Sequence, residues 1–321
     1  MEIALKELDR LGHYHQPWLV DRLFRHLLID LTGNTHRAEI CIDKMFSPDG
    51  PTGRLGLVEF RGFEMPPHWQ MSMAQALVIR ALIAWFWDTP YRGALKPWGT
   101  HLHDRFLLPD HVREDFREVL SDLSKAHRYP FEWSWFAAQF DFRFPVAGRS
   151  KIDETELELR SAIEPWIVLG EEAGGGGTAR YVDSSVERMQ VRLENFDPER
   201  FELCCNGTAV PMEKRPDGAH VAGIRFRTWQ PWSALHPTIG AHGPLRFDLF
   251  DRAAGRSIGG VTYHVAHPGG RAHETRPINA LEAEGRRLSR FERGGQSPDL
   301  RQPAHAGVHP DFPRTLDLRR L

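Results

Sequence analysis

Five ionisable residues fall on alternate positions of two short segments: Arg37, Glu39 and Asp43 in the first, Glu59 and Arg61 in the second. Carboxylate oxygens are the donors that hard Mg²⁺ takes, and the planar guanidinium fork matches phosphate or carboxylate oxygens two at a time. If the two segments pair with their polar faces together, three carboxylates and two guanidinium groups share one surface suited to a metal-bound nucleotide. The same pattern also describes a solvent-facing ladder of cross-strand ion pairs, each contributing roughly 0.2–1 kcal/mol. Spacing alone leaves both open.

The elements around these residues follow from hydrophobic period and turn chemistry. Pro17 stands where a helix starts, and Leu19/Val20, Leu23/Phe24, Leu27/Leu28 and Leu31 recur at the helical period until Gly33-Asn34 stops it. From His36 to Asp43 the period becomes two, with Ala38, Ile40 and Ile42 on one side and Arg37, Glu39, Cys41 and Asp43 on the other. Ser47-Pro48-Asp49-Gly50-Pro51 is a dense turn signal, after which Arg54 to Glu64 alternates again, so an antiparallel hairpin is expected. Helices are expected over 71–87 and 109–126, followed by an aromatic-rich stretch over 131–144. Residues 1–150 therefore read as an α+β portion.

Beyond 150 the runs 154–160, 186–194, 201–205, 221–229, 245–250 and 257–265 are β-rich and separated by Gly and Pro. A second, β-rich domain is expected over 151–293. Asn279 followed by Glu282 is an N-cap signature for a closing helix through Phe291. The Pro-, Gly- and His-rich residues 294–321 are expected to be an extended C-terminal tail.

Composition bounds the function classes. Across 321 residues, 41 Lys and Arg nearly balance 43 Asp and Glu. No net field attracts nucleic acid or an anionic membrane, and neither is expected as a partner. The longest apolar window, Ala74 to Trp87, is interrupted by Arg80 and is too short to cross about 30 Å of hydrocarbon. The N-terminus has no apolar leader segment, and three cysteines make no disulfide framework, so a reducing cytoplasm is the expected compartment.

Other motifs compete with the paired segments. Gly255-Arg256-Ser257-Ile258-Gly259 matches a nucleophile-elbow pattern, but a strand rather than a helix is expected after it. The glycines at 174–177 lack the Lys-Ser/Thr of a phosphate loop and read as a flexible connection. Cys41 near His36 is either a thiol nucleophile or a small buried residue, and Cys204-Cys205 lacks metal-ligand spacing. On a strand, His101 and His103 would share a side, with Asp104 orienting them as a metal fragment. Tyr263 to Arg271 packs two histidines, a turn and an arginine together, either for anion recognition or as a capped strand end.

The runs Asn34 to Lys44, Gly53 to Arg61 and Phe63 to Pro67 resemble a bacterial domain family of unknown function regarded as amidoligases, usually found C-terminal in transglutaminase-like proteins. The likeness continues through Trp98 to Phe106, Val182 to Arg188, Trp229 to Pro231, Ser233 to Ile239, Tyr263 to Arg271 and Leu316 to Arg320, and covers nearly the whole chain. The family is grouped with carboxylate–amine ligases of glutamine-synthetase-like fold, and Glu59-Phe60-Arg61 resembles the Glu-x-Arg strand of related amidoligases. The resemblance is to the C-terminal portion of the family. The transglutaminase apparatus and the first part of the ligase sheet are therefore expected to be missing from this chain, which reads as a fragment, a split gene product that needs a separate partner chain, or a degenerate copy.

The implied fold is α+β, an antiparallel sheet with helices followed by a β-rich domain. The implied activity is ATP- and Mg²⁺-dependent ligation of a peptide or amino-acid carboxylate to an amine donor through an acyl phosphate. The implied roles are Glu39, Asp43 and Glu59 for the metal; Arg37, Arg61 and Glu64 in catalysis; and Arg37, Arg61, His103 and Arg105 against the nucleotide. The alternative is a non-catalytic peptide- or protein-binding module working with a transglutaminase-like chain.

Overall fold

The period-two runs of the second half become strands because alternate residues find an apolar partner surface. A computed structural model of the chain describes residues 2–12, 16–32, 40–94, 96–175, 177–230, 234–265 and 275–321. The chain is α+β and divides into two compact units, Met1–Pro67 with Ile167–Val182, and His68–Trp166 with Asp183–Leu321.

The first unit holds helices α1 (Glu2–Arg10), α2 (Trp18–Leu28) and α3 (Asp43–Phe46), and strands β1 (Ile40–Cys41), β2 (Glu59–Phe60), β5 (Ile167–Gly174) and β6 (Gly177–Asp183). β5 and β6 pair with each other, β5 ending at Gly174 and β6 beginning at Gly177. The expected hairpin forms as an antiparallel pair, Ile40 opposite Phe60 and Cys41 opposite Glu59, but it is far shorter than the alternation suggested among the described residues. Two causes are visible. Asp43 opens a helical turn, with the Met45 and Phe46 amides donating to the Ile42 carbonyl. In addition, Leu55, Leu57 and Val58 remain exposed, so no buried face rewards longer pairing. Gly53 lets the intervening loop close, since a Cβ there would sit 2.2 Å from the Ser47 carbonyl oxygen.

In the second unit, α4 (Trp69–Asp88) and α6 (Pro109–His127) start and stop within a few residues of the sequence expectation. They bury Val78, Ala81, Leu120 and Leu123 against Phe131 and Phe136, with the last two supplied by the aromatic-rich stretch that carries a 3-10 turn and α7 (Ala137–Arg143). Among the described residues no helix is long and apolar enough to cross a membrane.

The β-rich part is a sandwich. One sheet runs β10 (Glu213–Lys214), β11 (His220–Arg227), β7 (Val186–Glu194), β4 (Thr155–Ser161), β3 (Val146–Ile152). β15 (Thr315–Asp317), from the C-terminal stretch expected to be extended, adds in parallel to β11. The second sheet runs β14 (Phe291–Arg293), β13 (Arg256–Tyr263), β12 (Leu245–Asp251), β8 (Phe201–Cys205), β9 (Thr208–Ala209). Leu157, Val191 and Ile224 from the first sheet meet Leu203, Phe247 and Val261 from the second in one core.

Two local expectations change. His101 to Phe106 is a helix, α5, not a strand. The closing helix α8 (Ala280–Leu288) ends before Phe291, which instead begins β14 and packs on β3 where a Cβ at Gly148 would clash with its ring. The N-cap of α8 forms as expected: Asn279 accepts from the Glu282 amide at 2.8 Å, and the Glu282 carboxylate accepts from the Ile278 amide at 2.8 Å. Asn279→Ala is expected to lower unfolding free energy by about 1 kcal/mol, read as a shift in the urea midpoint at constant m-value.

Candidate functional site

The hairpin of the first unit places Glu59 directly across from Cys41, with Arg61 two residues on. Arg61 Nη2 donates to Glu59 Oε2 at 2.9 Å, and Lys44 Nζ stands 3.6 Å from the same oxygen. The Arg61 hydrogen bond, aided by the charges of Arg61 and Lys44, holds the Glu59 carboxyl below the usual carboxylate range. The Glu59 hydrogen bond, with the charges of Glu59 and Asp43 beside it, raises the Arg61 pKa. Cys41 is buried, and its thiol donates to Asp43 Oδ1 at 2.8 Å. Glu64 is exposed at the far end of the segment. Arg37 and Glu39 lie outside the described residues, so the described patch comprises Asp43, Lys44, Glu59 and Arg61. It offers two carboxylates and two cations within one hairpin.

Beside it, Arg22 forms two hydrogen bonds with Asp49, and Arg25 joins Asp49 to buried Asp21 and Ser47. This ion cluster ties α2 to the turn after α3 and thereby holds the loop that returns to β2. Among the described residues no group of three or more His, Cys, Asp or Glu is arranged to hold a metal ion.

His103 and Arg105 belong to the second unit. On α5 the positions of His101 and His103 are about 200° apart around the axis, so the expected shared face does not form. Asp104 orients neither ring; it is fully buried and accepts from the Arg314 amide at 3.1 Å and from Thr315 Oγ1 at 2.8 Å, anchoring β15. The His103 carbonyl accepts from Arg188 Nη1 at 2.6 Å, while the Arg105 guanidinium lies 5.1 Å from the Trp98 ring centre.

The other motifs resolve into structural roles. Ser257 lies on β13 and donates to buried Asp248 at 2.9 Å, with no helix following, so the elbow geometry is absent there. Burial pushes the Cys204 thiol up to about 12 and raises Cys205 further, which keeps both as thiols. Tyr263 ends β13, and His267 to Arg271 lie outside the described residues.

Sequence reasoning missed a buried polar network that lies between the outer face of the β7 sheet and helices α5 and α6. Arg188, Gln190 and Arg192 alternate with the core residues Met189, Val191 and Leu193, yet they too are buried or nearly so. Gln190 Oε1 accepts from the Asp110 amide at 2.8 Å; Asp110 accepts from Arg192 Nη1 at 2.8 Å, from Arg215 Nε at 2.9 Å and from Arg113. Glu164 receives Arg188 at 3.1 Å and also Arg225. His111, 2% exposed, sits with Nε2 3.1 Å from Glu213. Burial, together with the charges of Arg215 and Arg105, lowers its pKa to about 4 despite Glu213 and Asp110. The signal for this network was the Arg-x-Gln-x-Arg alternation in β7, but spacing does not say whether a polar face meets water or a helix.

Residues 1–319 match the model of a protein family described as "Putative amidoligase enzyme (DUF2126)". No curated protein and no solved structure matches the chain.

Proposed function

Because the chain belongs to this amidoligase family, DUF2126, we propose that it joins a carboxylate to an amine at the expense of ATP, with the β1–β2 hairpin carrying the reacting groups. The family match, spanning residues 1–319, carries this reading. The Glu59–Arg61 pair, set beside Asp43 and Lys44, supports the placement.

The donor chemistry fits in part. Asp43 and Glu59 supply hard oxygen donors for Mg²⁺, and Glu39 is the proposed third. Bound Mg²⁺-ATP would supply the phosphoryl group that turns the substrate carboxylate into an acyl phosphate with release of ADP. Arg61 and Arg37 would hold the anionic oxygens of the carboxylate and the transferring group in place. The amine nitrogen then bonds to the acyl carbon, the carbon–oxygen bond to phosphate breaks, and exposed Glu64 takes the amine proton. The proposed substrates are a peptide or amino-acid carboxylate and an amine donor, and His103 and Arg105 enter only as nucleotide contacts implied by the resemblance.

ADP release should require a carboxylate and an amine together, and Glu59→Gln should reduce it by a factor of about 10² or more. Coupled turnover that persists in Glu59→Gln would remove Glu59 from the metal site. A second reading, a peptide- or protein-binding module acting with a transglutaminase-like chain, is favoured by one observation: Glu59 is already engaged by two cations. A binding module would retain partner affinity without nucleotide and show no ADP release with any substrate pair.

A further inference from the structure

Four arginines are buried among the described residues: Arg160, Arg188, Arg215 and Arg227. Three of them meet a carboxylate, Arg160 at Asp141 (2.7 Å), Arg188 at Glu164 (3.1 Å) and Arg215 at Asp110 (2.9 Å). Arg227, at 0% exposure the most deeply buried of the four, meets none among the described residues. Its Nη1 donates to the His236 and Ile239 carbonyls, whereas Nε and Nη2 have no hydrogen-bond partner among the described residues. A buried guanidinium without a counter-charge on its free donors is costly, and a bound anion removes that cost.

Strand geometry explains the missing partner. Arg225 and Arg227 alternate on β11 with the core residues Ile224 and Phe226, and so share its outer face. Arg225 lies opposite Asp317 in the β15 register and pairs with both Asp317 and Glu164. Two residues further on, β15 has given way to the 3-10 turn Leu318–Arg320, which brings up Arg319 instead of an acid. Arg319 itself is taken by Asp317 at 2.7 Å. Asp183 is close enough to attract Arg227, but its oxygens accept from the Ser185 amide at 3.0 Å and the Leu235 amide at 2.9 Å. Burial lowers the Arg227 pKa; Asp183 opposes the shift and Arg319 adds to it.

The cover over the guanidinium is thin. It is the loop 234–242, in which Leu235 is 46% exposed and residues 236–238, 240 and 241 are exposed as well. The loop is pinned to the end of β11 at His242, whose Nδ1 accepts from the Arg227 amide at 3.0 Å and whose amide donates to the Arg227 carbonyl at 2.8 Å. Ahead of that anchor it holds the guanidinium through the two carbonyls alone, and both lie on Nη1. The Nε–Nη2 edge is therefore the free one, and that edge presents two parallel N–H donors at the spacing of two carboxylate oxygens. One unpaired charge suits a monoanion, and the nearby Asp183 disfavours a phosphate dianion.

We propose that Arg227 anchors a carboxylate-binding site, its Nε–Nη2 edge taking both oxygens of one monoanionic carboxylate beneath the loop 234–242, which lifts to admit it. The inference stands apart from the ligase reading, since the site lies in the second unit, away from the β1–β2 hairpin, and its test contains no nucleotide. Failure of this test therefore leaves the ligase reading where it stood.

The experiment titrates the whole chain, carrying isotope-labelled arginine, with sodium acetate and follows the arginine Nε–H signals by NMR, with sodium chloride at matched ionic strength as the control. One signal, absent from Arg227→Lys, should shift saturably with acetate and stay in place with chloride. The melting temperature should rise in acetate above the chloride control. Arg227→Lys keeps the charge but not the fork, and it should weaken acetate binding by about tenfold or more. Circular dichroism checks that the variant folds; if it does not, the parent spectrum still decides, because the absence of any arginine signal that saturates with acetate alone overturns the proposal. A gain in melting temperature kept in full by folded Arg227→Lys would also overturn it. So would inorganic phosphate shifting the same signal at lower concentration than acetate, which would make this a phosphate site.

Discussion

Asp110→Ala is expected to lower the unfolding free energy by about 3 kcal/mol, the largest stability loss from any single polar substitution proposed for this chain. The carboxylate is 4% exposed and accepts from Arg113, Arg192 and Arg215, and it lies in the first turn of α6, where negative charge is favoured. Removing it leaves three guanidinium groups crowded without their common partner. The loss stays at the lower end of the range for breaking a buried pair because Arg192 keeps Glu194 and Asp217, and Arg215 keeps Glu114. Urea unfolding checks it, and a cycle pairing Asp110→Ala with Arg215→Met should cost less than the two single changes added, because they share a partner. A loss below 1 kcal/mol would mean that the network is a surface ladder in energetic terms.

Acidification should destabilise the second unit through His111. Its pKa in the folded chain is about 4, below the ordinary 6.5, because burial and the charges of Arg215 and Arg105 disfavour the imidazolium. The folded state therefore binds fewer protons at this site than the unfolded chain does. Its contribution is fully present above pH 6.5, and it is lost progressively as pH falls from about 6.5 to about 4. The total is on the order of 3 kcal/mol. His220 and His242 are also shifted down by burial, so they add to the slope in the same direction. The quantity to measure is the difference in stability slope between the parent chain and His111→Gln across pH 4.5–6.5. Identical slopes would place the acid sensitivity elsewhere.

Much of the sandwich was legible because its strands alternate between core and non-core residues over five to nine positions. The expected runs 186–194 and 201–205 coincide with β7 and β8. Asn279 and Glu282 mark the start of α8 for a local reason as well: a side-chain oxygen three residues before an amide caps a helix whatever surrounds it. Other readings failed where local pattern meets a competing local structure. His101 and His103 suggested a strand by their spacing, but the segment is helical, and Asp104 points into the packing of β15.

The candidate hairpin shows the division most sharply. The residue types that make Glu59 and Arg61 suited to carboxylate or phosphate chemistry, and the turn that brings their strand back beside Cys41, were determined by the sequence alone. Only the tertiary structure decided that the pairing is two residues long among the described residues, that Lys44 joins Arg61 on Glu59, and that the polar face of β7 is buried against α6, where Gln190 and Arg192 meet Asp110. The physical reason is that alternation states which residues share a face, whereas the burial of that face depends on which distant element packs against it.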